Sequence, residues 1–414
     1  MHKQLLIIGH TYPEPSTTAA GSRMMQLIDL FTAQGCMISF ASTAGISERS
    51  EDLATANIST HAISLNDASL NVLLKEVVPD IVLFDRFVTE EQFGWRVTEV
   101  CPNAVQILDT EDLHFLRKAR EEAFKKGIAV TEAILFTDTA KREIASILRC
   151  DMSLIISEIE LELLTHTFKV PSGLLFYLPL LVAAEISEDK IHALATFRNR
   201  QHFVALGNLK HAPNVASVQL LKQHIWPKLR HNLPQAELHI YGAYAPKQIQ
   251  EMHSPKDGFL IMGWAPKISE VLENAKVQLA PLPFGAGLKG KLIDAMRYGL
   301  PTITTPIGAE GMFKDENAPG FIANTWEAFI EESIRLYTNE PIWATAQDRG
   351  FNILKNRFQR SFFEVSFQKE IRHLLNTIHQ HRRKHFIGQI LQHQSMQATK
   401  YLSKWIEAKN SKDR

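Results

Sequence analysis

The fold of this chain is decided by one stretch, PFGAGLKGKLIDAMRYGLPTITTPIGAEGM, residues 283–312. Its first half mixes glycines with lysines, and these residues are Gly285, Gly287, Lys289, Gly290 and Lys291. Glycine allows positive φ and lets other groups come close to the backbone. The run that follows has apolar residues at helical spacing, Leu292, Ile293 and Met296. A flexible and positively charged turn therefore leads directly into a helix.

This turn has the features of an anion site. Free N–H groups and the dipole at a helix N-terminus attract negative charge, and Lys289 and Lys291 add two positive charges. The apolar run Val277–Leu279 places the turn at the carboxyl end of a predicted strand, where open α/β sheets bind ligands. We therefore predict a diphosphate site. The alternative left open by these residues is a glycine-rich turn whose lysines only face solvent.

Asp294 lies one helical turn beyond the glycines. A carboxylate at this position repels phosphate, but it accepts hydrogen bonds from the two hydroxyls of a ribose. We therefore expect the turn and the first part of the helix to hold a nucleoside diphosphate by both of its ends.

Elsewhere, short apolar runs alternate with helix-like segments in two successive series. Such alternation predicts parallel sheets that are covered by helices on both faces. The first series of predicted strands is Leu5–Ile8, Met37–Ala41, Ile81–Phe84, Val105–Leu108 and Leu154–Ile156. The second series is Phe203–Leu206, Leu238–Tyr241, Phe259–Ile261, Val277–Leu279 and Thr302–Thr304. We predict an α/β protein with two Rossmann-like domains that face a cleft.

The division between the domains follows from a polar, strand-poor stretch near Val182–Arg200. Past Asn324 the pattern becomes helical, with predicted helices at Trp326–Tyr337, Pro341–Asn376 and Phe386–Lys409. The predicted domains are residues 1–183, residues 184–385 with the predicted nucleotide site, and residues 386–414 as a C-terminal helix that packs back on the first domain.

Composition sets the broad class of protein. The chain has 414 residues, too many for one ordinary core, and 45% are hydrophobic and 22% charged, as in a soluble globular protein. Lys and Arg total 45, as do Asp and Glu, so the overall charge gives no sign of nucleic-acid binding. Three cysteines without metal spacing indicate reduced thiols and a cytoplasmic location. The first apolar run is too short for a signal peptide or a membrane span.

The stretch 283–312 resembles the nucleotide-sugar signature of the "glycosyl transferases group 1" family, retaining enzymes of the GT-B fold. The family pattern is close to G-x-G-x-(K/R)-x-K-(I/V)-(L/I)-(E/D)-A-(M/L), and after a few residues it continues as G-x-P-(V/I)-(V/I)-(A/T)-T-x-x-G-x-E-G. The matching residues are Gly285, Gly287, Lys289, Lys291, Asp294, Ala295, Met296, Gly299, Pro301, Thr304, Gly308, Glu310 and Gly311. A match of this length is specific, and looser similarity extends over most of the chain.

Three other segments are similar to family features around the nucleotide, namely Gly207–Asn214, Leu238–Gly242 and Gly263–Pro266. The resemblance implies a set of donor-binding residues. They are Gly207, Asn208, Lys210, Gly263, Trp264, Gly285, Gly287, Leu288, Gly290, Asp294 and Glu310. Lys289 and Lys291 are the expected catalytic residues of this domain, because a leaving diphosphate needs positive charge beside it.

Two departures from the family pattern affect the donor site. Many members carry two glutamates eight positions apart, whereas Ala286 and Asp294 stand at these positions here. Many members also hold the phosphates with an arginine and a lysine after the first strand of this domain, where Asn208 and Lys210 stand instead. The identity of the sugar is therefore left open, and we expect the two loop lysines and the glycine backbone to hold most of the phosphate charge.

The N-terminal domain supplies candidates for the acceptor side. The loop His10–Arg23 follows the first predicted strand, and its Gly21 and Arg23 best match a family loop that lies beside the acceptor. A plain surface loop with a helix cap at Ser22 is the alternative. Four further residues lie at a predicted strand end or on the helix that follows it, and they are also acceptor-side candidates: Arg86, Glu90, Arg117 and Arg120. The alternative is that they only start helices or form ion pairs.

A second cluster of polar residues follows the predicted strand Val105–Leu108. It contains Asp109, Asp112 and His114. Family enzymes usually have a functional histidine near the reacting sugar, so the resemblance implies a catalytic role for His114 and acceptor-side roles for the two aspartates. A packed or capping histidine is the alternative reading.

The resemblance implies transfer of a hexose from a nucleoside diphosphate sugar to a hydroxyl of a glycan or glycolipid, with retained configuration. No metal and no other cofactor is expected, and bacterial surface polysaccharide synthesis is the expected context. The alternatives are a nucleotide-sugar-binding protein without turnover and a GT-B-fold epimerase. A dinucleotide oxidoreductase is disfavoured, since Gly9-His-Thr-Tyr-Pro replaces the G-x-G-x-x-G pattern. The sequence does not set the oligomeric state.

A basic run, His379–His385, precedes the last predicted helix. A solvated helix face is the simplest interpretation. Contact with an anionic membrane surface or a polyphosphate is the main alternative, because a basic run beside an amphipathic helix can make such contacts. Its histidines resemble a metal cluster only superficially.

Overall fold

The computed structural model describes residues 3–182, 188–314 and 316–412. They form two parallel sheets, of seven and six strands, and helices follow the strands of both. The predicted α/β fold with two Rossmann-like halves is therefore confirmed.

The first sheet has the strand order β3-β2-β1-β4-β5-β6-β7, and every neighbouring pair is parallel. Its strands are β1 (Gln4–Gly9), β2 (Met37–Ser42), β3 (Ser59–Ala62), β4 (Ile81–Asp85), β5 (Val105–Asp109), β6 (Met152–Ile155) and β7 (Leu175–Tyr177). The helices of this half are α1 (Ala19–Ala33), α2 (Ser69–Val77), α3 (Arg86–Val100), α4 (His114–Lys126), α5 (Asp138–Arg149) and α6 (Glu158–Glu162). Central strands are apolar on both faces because helices cover both, as in Ile81–Phe84, which is fully buried.

The second sheet has the order β10-β9-β8-β11-β12-β13, again entirely parallel. Its strands are β8 (Gln201–Leu206), β9 (Leu238–Tyr241), β10 (Phe259–Gly263), β11 (Ala275–Ala280), β12 (Thr302–Thr304) and β13 (Gly320–Ile322). The helices from this half onward are α7 (Glu188–Ala193), α8 (Ala212–Leu220), α9 (Trp226–Asn232), α10 (Lys247–Gln250), α11 (Ile268–Asn274), α12 (Gly290–Arg297), α13 (Pro306–Ala309), α14 (Trp326–Thr338), α15 (Glu340–Arg357), α16 (Arg360–Lys384) and α17 (Phe386–Lys412).

The sequence analysis missed three strands, β3, β7 and β13. All three lie at sheet edges and contain only three or four residues. Such short segments carry too little apolar periodicity to stand out in the sequence. Partners that come from distant parts of the chain define them instead, as in the pairing of Thr302 with Gly320.

The predicted helix Pro341–Asn376 is wrong, because the chain forms two helices there, α15 and α16. Phe358 is fully buried at the break, and its carbonyl accepts a hydrogen bond from the Val182 N–H at 2.7 Å. Helix α16 then crosses to the first half, where Phe367 and Leu374 join the core beneath β1. The predicted domain boundaries remain a prediction, but this part of residues 184–385 contacts the N-terminal core.

The two halves meet through an apolar cluster that neither forms alone. Ile156 and Leu180 from the first half pack with Leu288 and Leu292 from the second. This contact brings the carboxyl ends of the two sheets face to face, which is where parallel α/β sheets bind ligands. Among the described residues, no helix combines the length and the apolar content that crossing a bilayer would require.

Candidate functional site

A cleft of about 540 Å³ lies between the two halves, a volume within the usual range for small-molecule sites. Twelve of the predicted site residues line it: Asp112, His114, Gly207, Asn208, Lys210, Trp264, Gly285, Leu288, Lys289, Gly290, Lys291 and Asp294. The remaining six are absent from its lining: Gly21, Arg23, Asp109, Gly263, Gly287 and Glu310.

The glycine loop joins β11 to the N-terminus of α12 and is where the two halves come closest. A Cβ on Gly287, which has φ 62°, would lie 2.8 Å from the Cβ of Asp112. A Cβ on Gly290 would lie 2.8 Å from the Cβ of Ala19. These glycines therefore do more than expose N–H groups, because any side chain at either position would push the halves apart.

Lys289 and Lys291 carry the positive charge of the site. The Lys289 ammonium donates to the carbonyls of Ala286 and Gly287, at 3.0 and 2.5 Å. The Lys291 ammonium donates to Asn214 Oδ1 at 2.6 Å. Within the described parts of the chain, neither lysine forms a salt bridge with a carboxylate. The cleft therefore contains two cations that no acidic side chain neutralises by direct contact.

Burial is the main influence on both lysines. It lowers the pKa of Lys289 to about 8, against the opposing charges of Glu310 and Glu160. It also lowers the pKa of Lys291 to about 7, and the neighbouring Lys289 charge lowers it further. A bound anion would favour the protonated form of each lysine, so the site is arranged to gain from negative charge.

The second half completes the cleft with the ends of β8, β9 and β10. Gly207 follows β8, and a Cβ there would lie 2.5 Å from the side chain of Asn214. Asn214 in turn donates to the Asn208 carbonyl at 2.8 Å while it accepts from Lys291. Asn214 is a site residue that the sequence analysis missed, although it ends a segment that had been singled out.

Trp264 lines the other side of this half of the cleft, and Tyr244 lies behind it, outside the lining. The Lys210 ammonium lies 3.9 Å from the ring centroid of Tyr244, and Arg49 lies 4.6 Å from the same ring. Trp264 is 37% exposed at the cleft and donates from Nε1 to the Ser16 carbonyl at 3.2 Å. Asp294 lines the cleft one helical turn beyond the glycines, and its side chain is partly exposed.

His114 is the first residue of α4 and is held firmly in place. Its N–H and that of Phe115 both donate to the carboxylate of the buried Glu143, at 3.1 and 2.9 Å. The ring stands edge-on to Phe87 at 5.4 Å, and Nδ1 lies 3.2 Å from the Asp112 carbonyl. No described residue bonds Nε2. This nitrogen is the group available to a ligand.

Asp112 forms an ion pair with Arg117 beside His114. Burial opposes ionisation of this carboxyl, but the charges of Arg117 and His114 outweigh it and lower the pKa of Asp112 to about 2. His211 faces the pair from the second half, and burial together with the Arg117 charge lowers its pKa to about 4. Arg117 and His211 also line the cleft. Arg117 was one of the further acceptor-side candidates, whereas His211 was not predicted.

Two further cleft residues have strained backbones. Arg86 follows β4 with φ 71°, and Glu111 follows β5 two residues after its end, with φ 63°. Neither is a residue type that favours this conformation, which costs about 1–3 kcal/mol and often marks functional sites. The Glu111 Oε1 atom is buried without a hydrogen-bond partner among the described residues. Burial, with the Asp109 charge, raises the pKa of Glu111 well above its usual range.

Three acceptor-side candidates are placed differently from the expectation. Arg23 and Asp109 are fully buried and form an ion pair at 3.2 Å. Gly21 is buried where a Cβ would clash with the backbone of Glu14 at 2.4 Å. In this conformation these residues lie in the core beneath the cleft and are not accessible to a ligand. Glu90, an open candidate, pairs with Arg149 and is also buried.

Glu310 spans the two halves instead of lining the cleft. It accepts from both Nη atoms of Arg120, at 2.6 and 2.7 Å, and Arg120 also donates to the Gly285 carbonyl at 2.8 Å. Glu160 makes a second link, because its Oε1 accepts from Leu113 N and Gly287 N, both at 2.9 Å. The glycine loop is therefore held from the N-terminal half at two points.

One cluster away from the cleft has the composition of a metal site. Side-chain atoms of His202, Glu237 and His239 lie within 4.8 Å of one another. However, His202 Nδ1 accepts the N–H of Glu237 at 3.2 Å, so the neutral ring carries its proton on Nε2. His239 Nε2 lies 2.8 Å from the Glu237 carboxylate. These hydrogen bonds account for the cluster without an ion.

Comparisons with known proteins agree with this architecture. The profile of the family described as "Glycosyl transferases group 1" matches residues 200–339, which include the glycine loop and both lysines. No curated protein sequence matches the chain.

Solved structures share the fold over nearly the whole chain. Sucrose-phosphate synthase from Thermosynechococcus elongatus has a TM-score of 0.67 at 13% identity, covering 91% of this chain and 100% of that one. HepE of Anabaena in complex with UDP-glucose has a TM-score of 0.65 at 11% identity, with 91% and 100% covered. A glycosyltransferase from Rickettsia africae ESF-5 has a TM-score of 0.63 at 12% identity, with 89% and 98% covered.

Two sheets facing one cleft, with a cationic glycine loop at the edge of the second, define a GT-B-fold protein. Within its second half, residues 200–339 are similar to the glycosyl transferases group 1 family, whose signature the 283–312 stretch resembles.

Proposed function

We propose that this protein transfers a hexose from a nucleoside diphosphate sugar to a hydroxyl of a glycan or glycolipid acceptor, with retention and without a metal ion. The observation that carries the proposal is a pair of lysines at the N-terminus of α12, Lys289 buried and Lys291 half-buried, neither of which contacts a carboxylate. The family match of this domain and the likeness to HepE, which was solved with UDP-glucose, support the same reading.

The chemical demand is charge stabilisation. As the bond between the sugar and the diphosphate breaks, negative charge grows on the departing phosphate oxygen. Lys289, Lys291 and the start of α12 line the cleft together, and they would stabilise this charge with little reorganisation if the phosphates bind there. Two preorganised cations supply the charge that a divalent ion provides in other phosphate sites, which supports a metal-independent reaction.

Retention follows if the acceptor attacks on the face that the phosphate leaves. The C1–O bond to the diphosphate breaks, the acceptor oxygen forms the new bond to C1, and the acceptor proton passes to the departing phosphate oxygen. This route requires no protein nucleophile. It does require an acceptor held beside the donor, on the N-terminal side of the cleft.

His114 and Glu111 are the residues that we assign to this placement. The unbonded Nε2 of His114 would hydrogen bond the transferred sugar, because Glu143 and Asp112 fix the rest of the residue. The unpartnered Glu111 carboxyl would bind a hydroxyl of the acceptor. Arg86 and Arg117 line the same wall and suit an acceptor that carries a negative group.

The contacts between the two halves would exclude water from the donor. Arg120 and Glu310 bridge one side of the cleft, and Glu14 accepts from the Tyr244 hydroxyl at 3.0 Å on the other. Exclusion of water suppresses hydrolysis of an activated sugar.

WaaG, a glycosyltransferase involved in lipopolysaccharide biosynthesis, shares the fold at 12% identity with a TM-score of 0.59. We therefore propose a bacterial surface glycan as the product and the cytoplasm as the location.

A panel of nucleotide sugars tests the proposal directly. Each compound is first screened by thermal shift, since a ligand of the native state raises its melting temperature. Hits are then incubated with candidate acceptors and without a metal, and the anomeric configuration of the product is read by NMR. Binding without turnover on any acceptor would favour a nucleotide-sugar-binding protein, and epimerised donor would favour an epimerase.

A further inference from the structure

Helix α17, the last helix of the described chain, packs on α3 and α5 of the N-terminal half. The side that packs is small or polar. Gly388 sits against the Leu148 carbonyl, where a Cβ would come within 2.1 Å. Gln392 donates to the Arg149 carbonyl at 2.8 Å, and Ser403 accepts from Arg96 at 3.2 Å.

Ion pairs reinforce this polar contact. The partly exposed Glu407 lies 3.6 Å from the buried Arg96. Lys400 and Lys404 pair with Glu99 of α3, at 3.1 and 3.2 Å. The helix is therefore attached to the protein mainly by hydrogen bonds and charges.

Large apolar residues on the opposite side of α17 face outward near both of its ends. Six large residues are between 43% and 64% exposed there: Phe386, Ile387, Ile390, Tyr401, Leu402 and Trp405. An amphipathic helix of a globular protein normally buries such a stripe and exposes its polar face. Here the arrangement is inverted. Burial of one large apolar side chain is worth about 1.5–3 kcal/mol, so a stripe of six left in water indicates an interaction surface.

The charges around the stripe indicate what it contacts. Between residues 382 and 409 the sequence has six basic residues and one acidic residue, Glu407, in a chain that is neutral overall. Three of the six are used internally, since Arg382 pairs with Asp151 at 2.8 Å and Lys400 and Lys404 pair with Glu99. Arg383 and Lys384 are exposed directly before the stripe, and Lys409 lies 5.6 Å from the Trp405 ring at its other end.

We propose that the outward face of α17 docks on an anionic lipid bilayer and lies in the interface. Aromatic and aliphatic side chains flanked by lysine and arginine are the composition of interfacial helices, and each basic residue near an anionic surface adds about 1 kcal/mol. A second copy of the chain fits less well. A two-fold contact would bring the basic flanks of both copies together, and like charges repel. The proposal stands independently of sugar transfer.

The test uses the full chain and two kinds of vesicle, phosphatidylcholine mixed with phosphatidylglycerol and phosphatidylcholine alone. We expect the wild type to co-sediment with the anionic vesicles and to detach from them as salt is raised. The double change Leu402→Ser and Trp405→Ser should weaken binding at least about tenfold, since it removes two apolar anchors. Val72→Ser, at a valine of α2 that is 62% exposed, is the matched control and should bind as wild type does.

A second pair of variants separates charge from apolar contact. Arg383→Glu with Lys384→Glu should abolish the preference for anionic vesicles, whereas Lys75→Glu on α2 should not change it. Thermal melting of each variant confirms folding. If the wild-type protein co-sediments with neither kind of vesicle, the proposal is overturned. Light scattering that shows a dimer which the Leu402→Ser and Trp405→Ser changes dissociate would also overturn it, because the stripe would then be an interface between copies.

Discussion

The two sides of the cleft are built in different ways. The second half supplies the glycine loop, both lysines and Asp294 from one continuous stretch with the ordinary geometry of a strand, loop and helix. The first half assembles its wall from the segments that follow five strands, β1, β4, β5, β6 and β7, and two of its residues, Arg86 and Glu111, have left-handed backbones. A phosphate site can come from one short segment of the chain, because the N–H groups of one helix start do most of the binding. An acceptor site needs residues from several segments, since it must hold the acceptor beside the donor.

The strongest test of this contrast is the double change Lys289→Ala and Lys291→Ala. We expect activity to be abolished and the affinity for UDP or GDP to fall at least about tenfold, since two charge-assisted contacts are lost. Calorimetry measures the affinity. Lys247→Ala with Lys267→Ala, two exposed lysines of the same half, is the control. Unchanged nucleotide affinity in the first variant would show that the phosphates bind elsewhere.

The change His114→Ala tests whether the first half affects the rate of transfer without affecting nucleotide binding to the second half. If His114 acts on the transferred sugar, turnover should fall about 100-fold or more, as misplacement of reacting groups does. Nucleotide affinity should stay the same, because the phosphate loop is untouched. Initial rates and UDP titrations measure the two effects, with His166→Ala at an exposed position as the control. Equal losses of rate and affinity would mean that the histidine supports the whole cleft instead.

Glu111→Gln probes the strained wall. The amide keeps the shape of the side chain but changes the donor and acceptor groups that the carboxyl offers to an acceptor hydroxyl. We expect kcat/KM for the acceptor to fall about tenfold, while the donor KM stays constant. Glu121→Gln, on the solvent side of α4, serves as the reference. A change confined to the donor KM would remove Glu111 from the acceptor site.

Asp294→Ala should have a smaller effect, because its side chain is 40% exposed and competes with water for its partners. We expect the affinity of the nucleoside portion to fall about fivefold. Competition by uridine or guanosine against a labelled nucleotide measures this directly. If these nucleosides compete equally well against variant and wild type, the ribose assignment fails. Glu270→Ala on the neighbouring α11 is a suitable control.

Glu160→Gln addresses the link between the halves. Burial, with the Asp112 charge, raises the pKa of Glu160 to about 8 in the folded chain. Between the ordinary pKa of a glutamate and pH 8, Glu160 therefore keeps its proton in the folded chain but has released it in the unfolded chain. Stability from this group is therefore present at low pH and lost as pH rises from about 5 to 8. The amide still accepts from Leu113 and Gly287 but does not titrate. The variant should melt higher than wild type at pH 8, by about 2–4 °C, and equally at pH 5. Glu162→Gln is the control.

The donor side was predictable because its chemistry lies within one run of sequence. Lys289, Lys291 and Asp294 are at fixed spacings along a strand, loop and helix, and local rules therefore place them together. Glu111 and Asn214 were missed for the opposite reason. Their significance depends on an unpaired buried oxygen and on a bond to Lys291, and neither can be seen without the neighbours that the fold brings in.

Arg23 and Asp109 show the limit of arguments from position. Both lie on segments that lead toward the cleft, yet they pair with each other at zero exposure. A strand end tells which edge of a sheet a residue occupies, but not whether its side chain turns toward the ligand or toward the core. That choice depends on partners distant in sequence, here 86 positions apart.

By itself the sequence determined the two parallel sheets and the cationic loop, because periodicity and helix starts are local properties of a chain. Only the tertiary structure decided which residues of the N-terminal half face the cleft, how Arg120 and Glu160 hold the glycine loop, and which side of α17 remains outside. These features arise from contacts between segments that are distant in the sequence, and burial and charge act there on neighbours that no local pattern reveals.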